Sequence, residues 1–128
     1  WSHPDIVYPH VHTLEEEGFY VLEGEFTLYV WEPDGVTKQV GHAGDFIWGP
    51  RDYPHYYHIT GAQGARVLTC LVPGGSGFAQ YFYGIAVEGR GADLSTEEKF
   101  LEFKEWGAKT SGKIFLAPGE WPEPLPGR

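Results

Sequence analysis

The chain predicts an all-β domain, an antiparallel sheet closed or sandwiched on itself, with one or two helices packed outside it near the C-terminal end. Three observations lead there. Apolar and polar residues alternate over several runs of four to eight positions, the period of half-buried strands. Gly 18 and Pro 10 in 128 residues mark many turns and argue against a helical bundle. His10 and His12 lie two residues apart, with Glu17 shortly after and His55 far along the chain, and only a rolled sheet brings such a set to one point.

Taken in order, Phe19 to Trp31 is rich in aromatic and β-branched residues and alternates around Glu25, Thr27 and Tyr29, the pattern of a half-buried strand broken at Gly24. Pro33-Asp34-Gly35 is a turn, since proline presets its φ and glycine accepts a positive one, so Val36 to Val40 returns as the hairpin partner. Phe46 to Trp48 and Tyr53 to Thr60 flank a turn at Pro50, and Ala65 to Val72 supplies another strand. After Pro73 the character changes. Phe78 to Ile85 predicts a short helix. Ser95-Thr-Glu-Glu98 is a capping-box pattern opening a second, which runs through Phe100, Leu101, Phe103 and Trp106 and closes at Gly107. Its apolar positions share one face, which packs on the outside of the sheet. Pro118 to Arg128 predicts an extended tail wrapping its own domain or a neighbour.

A chain of this length suits one domain: residues 1–74 form the β core and 75–128 a helical and Pro-rich extension of it. A formal charge of −9 without a basic stripe excludes nucleic acid as a partner. No run approaches the ~20 apolar residues that span a bilayer, so the chain reads as soluble, with its compartment open. Cys70 stands alone and cannot form an intrachain disulfide; as part of Leu-Thr-Cys-Leu-Val it reads as a small core residue.

His10 and His12 point to one side of a strand, and Glu17 can add a carboxylate oxygen to the same point. Three neutral imidazoles and a carboxylate suit a divalent first-row transition metal and do not favour calcium or magnesium. Mn, Fe, Co, Ni, Cu and Zn all accept that set. Glu15 and Glu16 are the rival carboxylates and read as solvated turn charges. His58, three residues past His55, points to the opposite face, while His3 and His42 read as surface histidines. By alternation Phe19, Val21, Phe26, Leu28, Trp48 and Tyr57 are candidates for the interior near these ligands, and a pocket walled by Phe19, Val21, Phe26, Trp48 and Tyr57 would admit a flat, largely apolar molecule with an oxygen donor. The competing expectation is an interior filled by its own side chains.

The run from His10 to Gly24 resembles the first cupin motif, His-x-His-x4-Glu-x6-Gly, at every defined position. Gly44 to His55 resembles the second, Gly-x5-Pro-x-Gly-x2-His, except that Asp52 stands where glycine is usual; the asparagine that trails the motif is replaced by Ile59. Pro73-Gly74-Gly75 with Phe78 and Phe82 is similar to the tail of small quercetin-dioxygenase-like cupins. The resemblance implies a double-stranded β-helix, or jelly-roll, with His10, His12, Glu17 and His55 holding one metal. It also implies one or two strands before the first motif, so the chain is expected to lack upstream strands of a longer protein and to pair as a homodimer or with the missing segment. The function it implies is metal-dependent dioxygenase chemistry, the ring opening of a flavonol or similar enolic aromatic by dioxygen, with Glu17 as ligand and base. The alternatives are a non-oxidative decarboxylase, isomerase or lyase on a small carboxylate, and a non-catalytic metal- or ligand-binding module.

Overall fold

The computed structural model describes residues 8–117 and 119–125. Its elements are β1 (His10–His12), β2 (Glu16–Glu32), β3 (Gly35–His42), β4 (Phe46–Gly49), β5 (His55–Ile59), β6 (Ala65–Val72), α1 (Phe78–Ala86), α2 (Glu97–Ser111) and β7 (Lys113–Phe115). All pairings are antiparallel, and the hydrogen-bonded path β3-β2-β5-β1-β7 is open at both ends. His3 and any strand upstream of residue 8 lie outside the described residues.

β2 is the hub. Its first half pairs with β4 and β6 and its second half with β3 and β5, so one 17-residue strand serves both layers of the fold. It is not broken at Gly24 as expected. Instead a bulge between Val21 and Glu23 and the positive φ of Gly24 (78°) bend it, and a Cβ at Gly24 would lie 2.0 Å from the Gly64 carbonyl oxygen. The bend also changes the parity of the buried face: Phe19 and Val21 point inward before it, Phe26, Leu28 and Val30 after it. These five and Ile47 of β4 form the apolar core, with Tyr57, Ala65 and Val67 packed against it. On the opposite face Tyr29 stacks on Tyr56, and Trp121 from the C-terminal tail meets Tyr56 edge-on at 4.9 Å between centroids, so the described part of that tail covers its own sheet.

The second helix differs from expectation at both ends. Thr96, not Ser95, is its N-cap, the hydroxyl accepting from the Lys99 N–H, while the Ser95 N–H donates to Asp93. It runs through Gly107 to Ser111 and stops at Gly112, whose left-handed φ of 66° supplies the C-cap. Gly107 is instead a close-packing position, where an added Cβ would lie 3.2 Å from the Tyr81 ring. Phe103 and Trp106 pack inward, the latter stacked on Tyr81 of α1, whereas Leu101 is exposed. After Gly112 the chain returns as β7, an unforeseen strand that pairs residue for residue with β1: His10 with Phe115, Val11 with Ile114, His12 with Lys113.

Candidate metal centre

The four predicted ligands come from three strands. Alternation on β1 turns His10 and His12 inward around an outward Val11. Glu17 opens the inward row of β2 that continues in Phe19 and Val21, and β5 delivers His55 opposite both His10 and Val30. All four are buried, and one ligand atom from each lies within 4.8 Å of the others. The Nε2 atoms of His10 and His12 are 3.1 Å apart, and Glu17 Oε2 is 3.4 Å from His12 Nε2 and 3.5 Å from His55 Nε2. Ligands at ~2.1 Å from a common ion would be separated by roughly 3.0–3.4 Å, so these contacts have the right spacing.

The hydrogen bonds prepare the same atoms. His10 Nδ1–H donates to the Tyr8 carbonyl at 2.6 Å and His55 Nδ1–H to the Tyr53 carbonyl at 3.0 Å, which fixes the tautomers and leaves each Nε2 lone pair facing the centre. His55 Nε2 and Glu17 Oε2 are buried with no hydrogen-bond partner among the described residues. A buried polar atom without a partner is costly, and a cation at the centre would satisfy these two together.

Electrostatics sets the protonation states a metal needs. Burial, reinforced by the charge of Lys113 and the neighbouring imidazoles, holds His10 well below the usual histidine range. Burial lowers His12 to about 4 despite the opposing charge of Glu17. Burial pushes Glu17 upward, but contact with His55 and the charges of His12 and Lys113 outweigh it, so its carboxyl lies below its ordinary value. At neutral pH His10 and His12 are therefore neutral imidazoles and Glu17 is a carboxylate, the forms that a cation binds. These residues can hold one divalent transition metal and would leave one or two of its positions open.

The surroundings were partly missed by sequence reasoning. Glu15 is not a solvated turn charge: it is fully buried, neither carboxylate oxygen has a hydrogen-bond partner among the described residues, and burial and then Glu17 push its carboxyl upward. The loop after β1 folds it inward while leaving Leu14 half exposed. Lys113 was also missed. It is 4% exposed and stands beside His12 across the β1–β7 pair.

Of the predicted pocket residues, Phe19, Phe26 and Tyr57 meet, with ring centroids 4.8 to 5.7 Å apart, and Val21 packs in the same core. Trp48 does not join them. Ile47 takes the inward position of β4, so Trp48 turns out beside Phe46 and over Gly18. Phe78 of α1 packs against His12 at 5.4 Å and covers the ligands from the helical side. Two cavities of about 300 and 200 Å3, one near Tyr8, Phe100 and Trp121 and one near Arg90, Asp93 and Trp106, touch none of the four ligands. His58 faces away from His55, opposite Thr27, and His42 is exposed beside Glu25 at 3.1 Å.

The Asp52 departure from the motif has a structural counterpart. Asp52 is the one non-glycine residue with positive φ (67°) among the described residues, and its N–H donates to the His12 carbonyl at 2.9 Å. Aspartate tolerates that conformation better than most residues, so the loop keeps the shape a glycine would give it.

The chain is similar to several solved structures and to one family model. Among solved structures, a recombinant oxalate oxidase in complex with glycolate is 21% identical, with a TM-score of 0.48 over 52% of this chain and 35% of its own. Bacillus subtilis oxalate decarboxylase, studied for its Mn(II) centres, is 21% identical with a TM-score of 0.44 over 52% of this chain and 18% of its own. Drosophila melanogaster CENP-C bound to CAL1 is 13% identical with a TM-score of 0.44 over 52% of this chain and 53% of its own. The matched region thus spans from under a fifth to about half of these proteins. No curated protein matches by sequence. Among the described residues no helix is long and apolar enough to cross a membrane. The model of the cupin domain matches residues 3–71, more than half of the chain and inclusive of all four ligands, and the chain belongs to the cupin family.

Proposed function

We propose that this protein is a metal-dependent enzyme that acts on a small molecule with an oxygen ligand, bound at the open positions of the His10, His12, Glu17 and His55 centre. The observation that carries this reading is the convergence of four buried ligand atoms within 4.8 Å, two of them without a hydrogen-bond partner among the described residues. A divalent metal there would supply Lewis-acid polarisation and a template for substrate. The chain's own residues do the rest. The His10 and His55 imidazoles are held in their tautomers by backbone carbonyls, and Glu17, ionised at neutral pH, would accept a proton from an acidic hydroxyl brought to the centre. In the oxidative form of this reading the substrate is a flavonol or related enol opened by dioxygen, with Phe19, Val21, Phe26 and Tyr57 as its apolar wall.

A second reading, non-oxidative chemistry on a small carboxylate, is favoured by how closely that wall is packed. Phe19, Val21 and Phe26 are each no more than 2% exposed and pack together in one apolar cluster, which leaves little room for a ring system and suits a substrate much smaller than a flavonol. Elemental analysis of the purified protein followed by dioxygen uptake with a flavonol panel separates the two. Uptake that disappears in Glu17→Gln supports the oxidative form. Stoichiometric metal without uptake on any polyphenol moves the assignment to the carboxylate form, and Glu17→Gln or His55→Ala proteins with full metal and full turnover would refute the centre itself.

A further inference from the structure

Lys113 is a buried charge that is not among the metal ligands and has no carboxylate partner among the described residues. It faces the interior from β7, in register with His12, so the two side chains leave neighbouring strands on the same side of the sheet. Its ammonium lies 4.8 Å from the Tyr81 ring centroid and 5.4 Å from that of Phe115, and among the described residues no carboxylate, Glu15 and Glu17 included, lies within ion-pair distance of it. Two aromatic faces compensate only part of the hydration that a buried ammonium gives up. A methionine would fill the same sleeve at less cost, so packing alone does not account for a lysine.

The charges at this end of the interior also fail to cancel. Three neutral imidazoles and the Glu17 carboxylate leave a divalent ion with one uncompensated positive charge, and Lys113 adds a second; Glu15, its carboxyl pushed upward by burial and by Glu17, offsets at most one of them, so a positive surplus remains. A dry site with that surplus favours a negatively charged occupant.

We propose that Lys113 is the anion-recognising residue of the site, its ammonium holding a carboxylate of a small organic acid whose other oxygen takes an open metal position. The inference rests on the metal-centre reading and narrows its substrate class to small carboxylates. The test uses protein reconstituted with Mn(II), with malonate and its neutral counterpart malonamide as probes and calorimetric affinity as the readout, alongside metal content. Wild-type protein is expected to bind malonate at least about tenfold more tightly than malonamide, the scale of a buried charge-assisted contact. Lys113→Met should lose that preference while retaining one metal per chain, and Lys113→Arg should keep most of it. Equal affinity of the wild type for the two probes would overturn the proposal without any variant, and so would undiminished malonate binding by a metal-loaded Lys113→Met protein. A chain that takes up no metal would overturn this inference and the metal-centre reading together, whereas full metal with no charge preference would overturn this inference alone.

Discussion

The interior has two ends built from the same strands, and they obey opposite rules. At one end Phe19, Val21, Phe26, Leu28, Val30 and Ile47 bury only apolar surface, each such side chain contributing about 1.5–3 kcal/mol. At the other end His10, His12, Glu15, Glu17, His55 and Lys113 are just as inaccessible, yet every one of them gives up hydration. β2 runs through both: its inward row starts at the ligand Glu17, passes through Phe19, Val21, Phe26 and Leu28, and returns at Val30 to lie opposite His55. The difference teaches where stability and chemistry are divided: the apolar end holds the strands in place, and the polar end uses that rigidity to keep unsatisfied atoms aimed at one point.

The contrast can be broken most severely at the ligands. His55→Ala is expected to lower metal affinity by more than about 100-fold, beyond the cost of losing an outer hydrogen-bond partner, as read by metal content after dialysis and by calorimetry. It should leave the apolar end folded, visible as an unchanged near-ultraviolet aromatic signal. Phe26→Ala should do the reverse, costing about 3–5 kcal/mol of unfolding free energy in urea while the folded fraction still binds one metal.

Acid tests the polar end in the metal-free protein. His12 titrates at about 4 when folded against 6.5 as a free side chain, so between those values the unfolded chain binds the proton and the folded one does not. Stability from this group is therefore fully present above pH 6.5 and falls as the pH drops toward 4, by on the order of 3 kcal/mol, with His10 acting in the same direction. A urea midpoint constant from pH 7 to pH 4.5 would contradict the assigned burial. Smallest of all, Asp52→Gly should relieve a left-handed backbone at a non-glycine residue and raise stability by up to about 1 kcal/mol, with metal affinity unchanged.

How much of this was legible in the sequence varied with the range of the interaction. His10 and His12 were readable because alternation is local, and the motif spacing singled out Glu17 over Glu15 and Glu16. The strands of β2 to β6 followed from periodicity and turn residues. Glu15 and Lys113 were not readable: each lies just outside a periodic run, and its burial is decided by a partner far along the chain. Lys113 belongs to a three-residue strand, too short to show a period, whose register is set about a hundred positions away at His12. Trp48 was misplaced for a more local reason, since both parities of Phe46-Ile47-Trp48 are apolar and only packing selects Ile47. The bend in β2 was invisible because a glycine in a strand pattern marks a break or a bulge equally well.

The pairing of β7 with β1 has a kinetic corollary. β1 meets β5 at a single register position and β7 at three, so the strand bearing the first two imidazoles is fastened mainly by residues that a ribosome makes long after it. Closing so distant a contact is slow. During synthesis, then, β7 can close over the nascent histidine pair only once Phe115 has emerged.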